Sequence, residues 1–198
     1  MKSIILDYCI SLVNLYGIVS FGKVADTYNI QNEDNIKIEE LRAEVGKNIV
    51  YLRDNLVVVE NNELIAMEIM MLDDYSKEKE YKDGKPYYIP EKEELLRYAD
   101  YTYFERTKSY NDLVEFLYGL YKDKSKAEKL ANDIRIFLKS VDGIGNLGYF
   151  FEENDLMFKD SKDAEQLMEL IKGLADNTRM WANNGYTPIE IEKMVGYN

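Results

Sequence analysis

The sequence contains no histidine, one cysteine, one tryptophan and three prolines among 198 residues. Without histidine, the Ser-His-Asp and Cys-His nucleophile pairs, His-ligated zinc and the commonest general base near neutral pH are all excluded. A lone cysteine, Cys9, forms no internal disulfide and cannot build a zinc or iron–sulfur cage. Its place on the apolar face of the first expected helix reads as a buried structural thiol in a reducing compartment. Positive charge is also in short supply, with 25 Lys and Arg against 37 Asp and Glu and a net charge of −12. Such a surface repels nucleic-acid phosphates unless its basic residues are segregated onto one face, and the sequence shows no segregation. Long apolar runs are missing too. Lys2 followed by apolar residues superficially resembles a signal peptide, but Asp7 and Asn14 interrupt the run and no small-residue cleavage site follows. We therefore expect a helix of the mature protein, no membrane partner and a cytoplasmic location.

What is present is the composition of an ordinary globular protein, 46% hydrophobic and 31% charged. A chain of this length buries roughly 70% of its unfolded surface without staples, so it is expected to fold alone. Seventeen tyrosines supply side chains that can sit half buried with a wet hydroxyl, candidates for a surface or groove.

Ile4, Ile5, Tyr8, Cys9, Leu12, Val13 and Leu15 recur at helical spacing, which predicts a helix over 3–15 ended by Gly17. Ser20 can cap a second helix over 21–28, before a polar turn at 29–35. A third helix is expected over 38–45, stopped by Gly46. The period then changes. Ile49, Tyr51 and the run Leu56 to Val59, with turn residues at Asp54-Asn55 and Asn61-Asn62, read as strand, turn, strand, turn. Three short helices followed by a hairpin is the order of a winged helix. Residues 73–92 are dense in charge with two prolines and one glycine, and read as a connection. Helical periodicity returns over 91–99, 110–121, 124–141, 162–176 and 188–195, with N-caps expected at Ser109, Ser125, Ser161 and Thr187, the last followed by Pro188 at the first helical position. The expectation is a mainly α protein with a small β-hairpin: a winged-helix-like N-terminal unit over 1–72, a charged connection over 73–90 and a helical bundle over 91–198.

Carboxylates are the main remaining source of chemistry. The pairs Asp73-Asp74 and Glu152-Glu153 lack the alternating ligand spacing and central glycine of a calcium loop and read as solvated surface. The stretch "GIGNLG" at 143–148 matches G-x-G-x-x-G, with Asp163 and Glu165 at about the distance of a ribose ligand. That fingerprint must follow a strand and open a helix, whereas a helix precedes it here. Gly143 is better read as that helix's left-handed terminator. No cofactor, metal or catalytic residue is assigned, and the chain is not expected to be an enzyme.

A winged helix raises the question of DNA, with Lys37, Arg42, Lys47 and Arg53 as the possible contacts. Over residues 1–72 six Lys and Arg face eleven Asp and Glu, a net of −5. That balance favours the protein-docking use of such a module over DNA reading.

Three stretches carry a resemblance: "LYGIVSFGKVADTYNIQNED" at 15–34, "GKPYYIPEKEELLRYADYTYFERTKSYNDLVEFL" at 84–117, and "NTRMWANNGYTP" at 177–188. Together they are similar to a group of poorly characterised proteins of Gram-positive bacteria and their mobile elements. Members have a winged-helix-like N-terminus and often a C-terminal cysteine-rich, zinc-binding SEC-C tail. This sequence carries no cysteine cluster, so zinc binding through such a tail is not carried over, and the resemblance implies a scaffold without a known activity.

The last of those stretches invites two readings. In one, Trp181 and Met180 bury against the core, Arg179 stacks or pairs with a carboxylate, Asn183-Asn184-Gly185 makes a tight turn, and Ile189, Ile191, Met194 and Val195 pack a final helix onto the bundle. In the other, Arg179, Trp181 and Tyr186 form an exposed anchor for a protein partner. The overall expectation is a non-catalytic protein-interaction or regulatory protein. The alternatives are an acidic mobile-element inhibitor that mimics nucleic acid against a host nuclease or defence enzyme, and a winged-helix DNA-binding regulator.

Overall fold

The computed structural model describes residues 4–139, 147–153 and 161–196. The fold is mainly α with one small antiparallel sheet, and the described chain divides into two compact units. The first comprises Met1–Phe104 together with Trp181–Gly185, and the second Glu105–Met180 with Tyr186–Asn198. Among the described residues no helix is long and apolar enough to cross a membrane.

The first unit is built around α1 (Ile4–Tyr16), which is buried on nearly every side. A helix apolar all round must be enclosed by other elements. Gly17 ends it with a left-handed φ of 74° and donates its N–H to Val13 O at 2.7 Å. The chain then extends into β1 (Ile18–Ser20), and the Ser20 hydroxyl caps α2 (Phe21–Gln31) by accepting from Lys23 N–H at 3.1 Å. α3 (Ile38–Lys47) and α4 (Ile49–Asp54) follow. The strand expected at Ile49 and Tyr51 is thus a helix. Buried Leu41, Val45 and Leu52 continue one helical stripe across the junction, and Leu52 N–H donates to Asn48 O at 3.0 Å. The short apolar run had hidden that longer period.

The hairpin itself is β2 (Val57–Glu60) and β3 (Glu63–Ala66). Asn61 and Asn62 make its two-residue turn, with φ of 50° and 65°, the left-handed pair whose twist suits a tight hairpin. Strand order is β1-β3-β2, all antiparallel, with Ile18 opposite Ile65 and Val58 opposite Ile65 on the other side. The first strand, too short to be seen by periodicity, completes the sheet. α5 (Met67–Met71), α6 (Tyr75–Lys82) and α7 (Lys92–Arg97) finish this unit's helices. The stretch read as a connection therefore holds a helix. Its two inward residues are Glu78 and Lys82, so no apolar period betrayed it. Leu95, Tyr98 and Trp181, assigned to the bundle from sequence, lie in the same core as α1. Tyrosines pair edge-on within it: Tyr8 with Tyr28, Tyr16 with Tyr87 and Tyr98 with Tyr103, at centroid distances of 5.1, 4.9 and 4.9 Å.

The second unit packs α8 (Lys108–Tyr121), α9 (Lys124–Leu138), α10 (Leu147–Glu153) and α11 (Ser161–Asp176), with α12 (Pro188–Val195) at its end. Leu113, Leu117, Leu130, Ile134, Leu167, Ile171 and Leu174 form the buried stripes. Caps fall two residues before those expected: Thr107 accepts from Tyr110 N–H, and Asp123 from Lys126 N–H. Thr187 and Glu190 form a reciprocal capping box at α12, with Pro188 at its start. No residue of α12 is buried, and Met194 and Val195 are exposed rather than packed on the bundle. Its first turn is capped and half-buried, and Glu190 pairs with Arg179. Of the glycine-rich stretch, residues 143–146, including the terminator expected at Gly143, lie outside the described residues, and Leu147 and Gly148 open α10.

Candidate functional site

Of the three residues of the expected anchor, Trp181 belongs to the first unit and Arg179 and Tyr186 to the second. Trp181 is buried in the first unit, where its indole N–H donates to Asn14 O at 3.0 Å. Its ring lies so close to Gly17 that a Cβ there would come within 2.8 Å of it. Arg179 belongs to the second unit, its Nε donating to Glu105 at 2.6 Å and its Nη1 to Glu190 at 2.9 Å. Half-buried Tyr186, also in the second unit, accepts Met180 N–H at its carbonyl. The exposed-anchor reading is therefore corrected: an indole this enclosed is a core residue, and Arg179 is occupied by two carboxylates.

The possible DNA contacts are scattered. Lys37 stands at the N-terminus of α3 and Lys47 at its end, roughly 15 Å apart by helical rise. Both are exposed, as is Arg53 at the end of α4. Arg42 stacks 4.8 Å from the centroid of Phe21 and donates to Asn62 in the hairpin turn. Glu39 and Glu40 occupy the first turn of α3, and the Glu40 carboxylate accepts Lys37 N–H at 3.0 Å. The helix start that would face phosphates carries negative charge instead.

Among the described residues no three His, Cys, Asp or Glu converge as metal ligands. Exposed Asp73 has a left-handed φ of 56°, Asp74 precedes α6, and Glu152 is exposed on α10. Cys9 is fully buried, and burial pushes its thiol up to about 12, so it supplies no thiolate.

The most constrained polar cluster is one that the sequence did not announce, formed by α6, the loop after it and the strap Trp181–Gly185. Ala66 N–H donates to Gly17 O at 2.7 Å, turning that carbonyl toward β3. The carbonyls on either side point outward from the sheet edge. The Lys82 ammonium closes that edge, donating to Tyr16 O at 2.5 Å and Ile18 O at 2.9 Å. Burial lowers its pKa to about 8, with nearby Glu78 acting in the opposite direction. Glu78, one helical turn earlier, is itself pushed up by burial, and its Oε2 is buried without a hydrogen-bond partner.

Lys85 Nζ donates to Ala182 O at 2.9 Å and Asn183 Oδ1 at 2.8 Å. Asn184 Nδ2 donates to Lys82 O at 3.2 Å and Lys85 O at 3.0 Å, while Asn184 O accepts from Tyr88 N–H at 3.0 Å. Asn184 and Gly185 are both left-handed, with φ of 49° and 85°, and a Cβ on Gly185 would stand 3.0 Å from the Tyr16 ring. Chemically this is a set of struts. Both acceptors of Lys82 are main-chain carbonyls, so its amine ties backbone together rather than facing a substrate. A lysine at i+4 from a glutamate and a following Lys-Pro were visible signals, but they look the same on a solvated helix.

Large apolar side chains are also exposed in this unit. Val50 on α4 and Met71 at the end of α5 are 68% and 79% exposed, with Ile49, Leu56 and Leu72 also exposed. Leu56, in a left-handed conformation, accepts Met67 N–H at 2.8 Å, which joins the turn after α4 to the start of α5. No family model, curated protein or solved structure matches the chain.

Proposed function

We propose that the chain is a non-catalytic protein-interaction or regulatory module that docks a partner on the exposed apolar side chains of α4, the following turn and α5. The observation that carries this reading is the exposure of Val50, Leu56, Met71 and Leu72 on α4, the following turn and the end of α5, two stretches that the Met67–Leu56 hydrogen bond joins. Large apolar side chains left in water are candidates for a contact site. The first unit carries twelve Lys and Arg against twenty Asp and Glu, a net of −8, so the complementary partner is an apolar surface with a basic rim. The winged-helix-like order of its elements is used here for docking, in a cytoplasmic setting.

Val50→Glu and Met71→Glu test this in a pull-down from lysate, with nuclease added. Loss of one specific retained protein, at unchanged melting temperature, supports the reading. Retention identical to that of the parent chain contradicts it.

A second reading draws on the same charge: an acidic surface mimicking nucleic acid and occupying the basic groove of a nuclease or defence enzyme. It requires binding that weakens steeply with salt and is indifferent to Val50→Glu. Retention of DNA that nuclease abolishes would instead assign Lys37, Lys47 and Arg53 to a DNA-reading role.

A further inference from the structure

Asn184-Gly185 is the sole Asn-Gly dipeptide in the sequence, and the fold buries it. Asn-Gly is chemically the most labile asparagine context, because glycine leaves its backbone nitrogen unshielded against the neighbouring amide carbon. Here the amide side chain and the backbone after it are each held in place. The Asn184 side-chain nitrogen is pinned between Lys82 O and Lys85 O, the main chain is locked left-handed at both residues, and Gly185 packs against Tyr16 and Leu15.

We propose that Asn184 is a deamidation site gated by the strap, so that opening of Trp181–Gly185 from the first unit becomes irreversible. In the open state the Gly185 backbone nitrogen, losing its proton to hydroxide, attacks Asn184 Cγ. The C–N bond to the side-chain nitrogen breaks and ammonia leaves, giving a cyclic imide. Water then opens the imide at either carbonyl, leaving an aspartate or an isoaspartate and restoring a peptide link. No oxidant or reductant is involved. The consequence follows from the two carbonyls: where Asn184 Nδ2 donated to Lys82 O and Lys85 O, a carboxylate oxygen now meets both. A buried charge facing two acceptors is strongly unfavourable. The isoaspartate product also lengthens the main chain by a methylene between Asn184 Cα and the Gly185 nitrogen, which the left-handed turn at these two residues does not match. The strap therefore cannot reseat, and Trp181, its one indole, is left uncovered.

The rate of Asn184 conversion in the full chain is to be measured by peptide mass spectrometry in water enriched in heavy oxygen, under native conditions and in urea at the same pH and temperature. Conversion through the imide incorporates heavy oxygen at this residue, and we expect it to be slower in the folded protein by about tenfold or more, the suppression given by a strap that must open first. Equal rates in the two conditions overturn the gating. Asn184→Asp is the second arm, read by Trp181 fluorescence, and Asn183→Asp beside it is the control. Red-shifted, quenchable emission from Asn184→Asp, with native emission from the control, is the expected result. Native emission from Asn184→Asp overturns the irreversibility. If that variant does not fold, the rate comparison on the parent chain still decides the gating, and the refolded, deamidated fraction recovered from urea supplies the fluorescence reading.

Discussion

The two compact units solve the same problem with different physics. In the second, amphipathic helices bury leucine stripes, and ion pairs such as Lys108–Asp112 and Lys129–Asp133 sit one turn apart on single helices, with Arg179–Glu105 a link between distant residues. In the first, the important polar links join residues far apart in sequence, among them Trp181 to Asn14, Lys82 to Tyr16 and Ile18, and Lys85 to Ala182. The charge differs as well. The first unit has a net of −8, whereas the second, with thirteen Lys and Arg against seventeen Asp and Glu, has −4. The lesson is that a helix bundle can be written in short-range pattern, while a sheet edge closed by a lysine and an indole cannot.

The contrast can be broken most forcefully at Trp181. Trp181→Ala removes a buried indole and the bond to Asn14 and is expected to destabilise the first unit by about 3–5 kcal/mol, while a truncation on the exposed surface of α11, Met168→Ala, changes stability by about 0.5 kcal/mol or less. Urea unfolding checks both. Gly17→Ala comes next, at about 2–4 kcal/mol, because the left-handed φ and the 2.8 Å approach to Ile69 and Trp181 leave no place for a methyl.

Lys82→Met sharpens the comparison through pH. It leaves two outward carbonyls unsatisfied, a loss of about 1–3 kcal/mol near neutrality. The folded-state pKa of Lys82, about 8, lies below its ordinary 10.5, so the linked contribution is present in full above 10.5 and is lost as pH falls through 8. Unfolding free energies of the parent and the variant between those values should therefore diverge in favour of the parent as pH rises. Glu78 has the opposite sign. Its carboxyl is held above the usual 4.5, so its contribution is present below 4.5 and is lost as pH rises through the raised value. Glu78→Gln should stabilise the protein by about 1 kcal/mol at neutral pH and change nothing in acid. A destabilising Glu78→Gln at neutral pH would show that the buried carboxylate is better satisfied than its lone Oε2 suggests.

The same contrast explains what could be read from sequence. The helices of the second unit were legible because Leu113, Leu117, Leu130, Ile134, Ile171 and Leu174 repeat at three and four, and Thr187-Pro188 is a local signal. The caps of α8 and α9 fall two residues before the serines that the sequence suggests, because Thr107 and Asp123 compete with those serines at similar propensity, whereas the cap expected at Thr187 is found. In the first unit α1, α2, α3 and the Asn61-Asn62 turn were legible for the same local reasons. α4 was mistaken for a strand because Ile49, Val50 and Tyr51 are β-formers, and the tertiary burial of Leu52 overrode that preference. α6 was missed because it turns Glu78 and Lys82 inward, which no apolar period describes. The polar cluster was illegible in principle: it is assembled from α1, β1, α6 and five residues beyond position 180, and only the fold supplies that proximity.

Trp181–Gly185 belongs to the first unit, with Trp181 in its core. Hydrogen exchange of the full chain tests it most directly, by comparing the amides of the strap, above all Asn184, with those of α1. Protection at Asn184 is expected, and it should be lost in Trp181→Ala while the amides of α8 and α9 keep theirs. Exchange at Asn184 as fast as in an unfolded chain would contradict it.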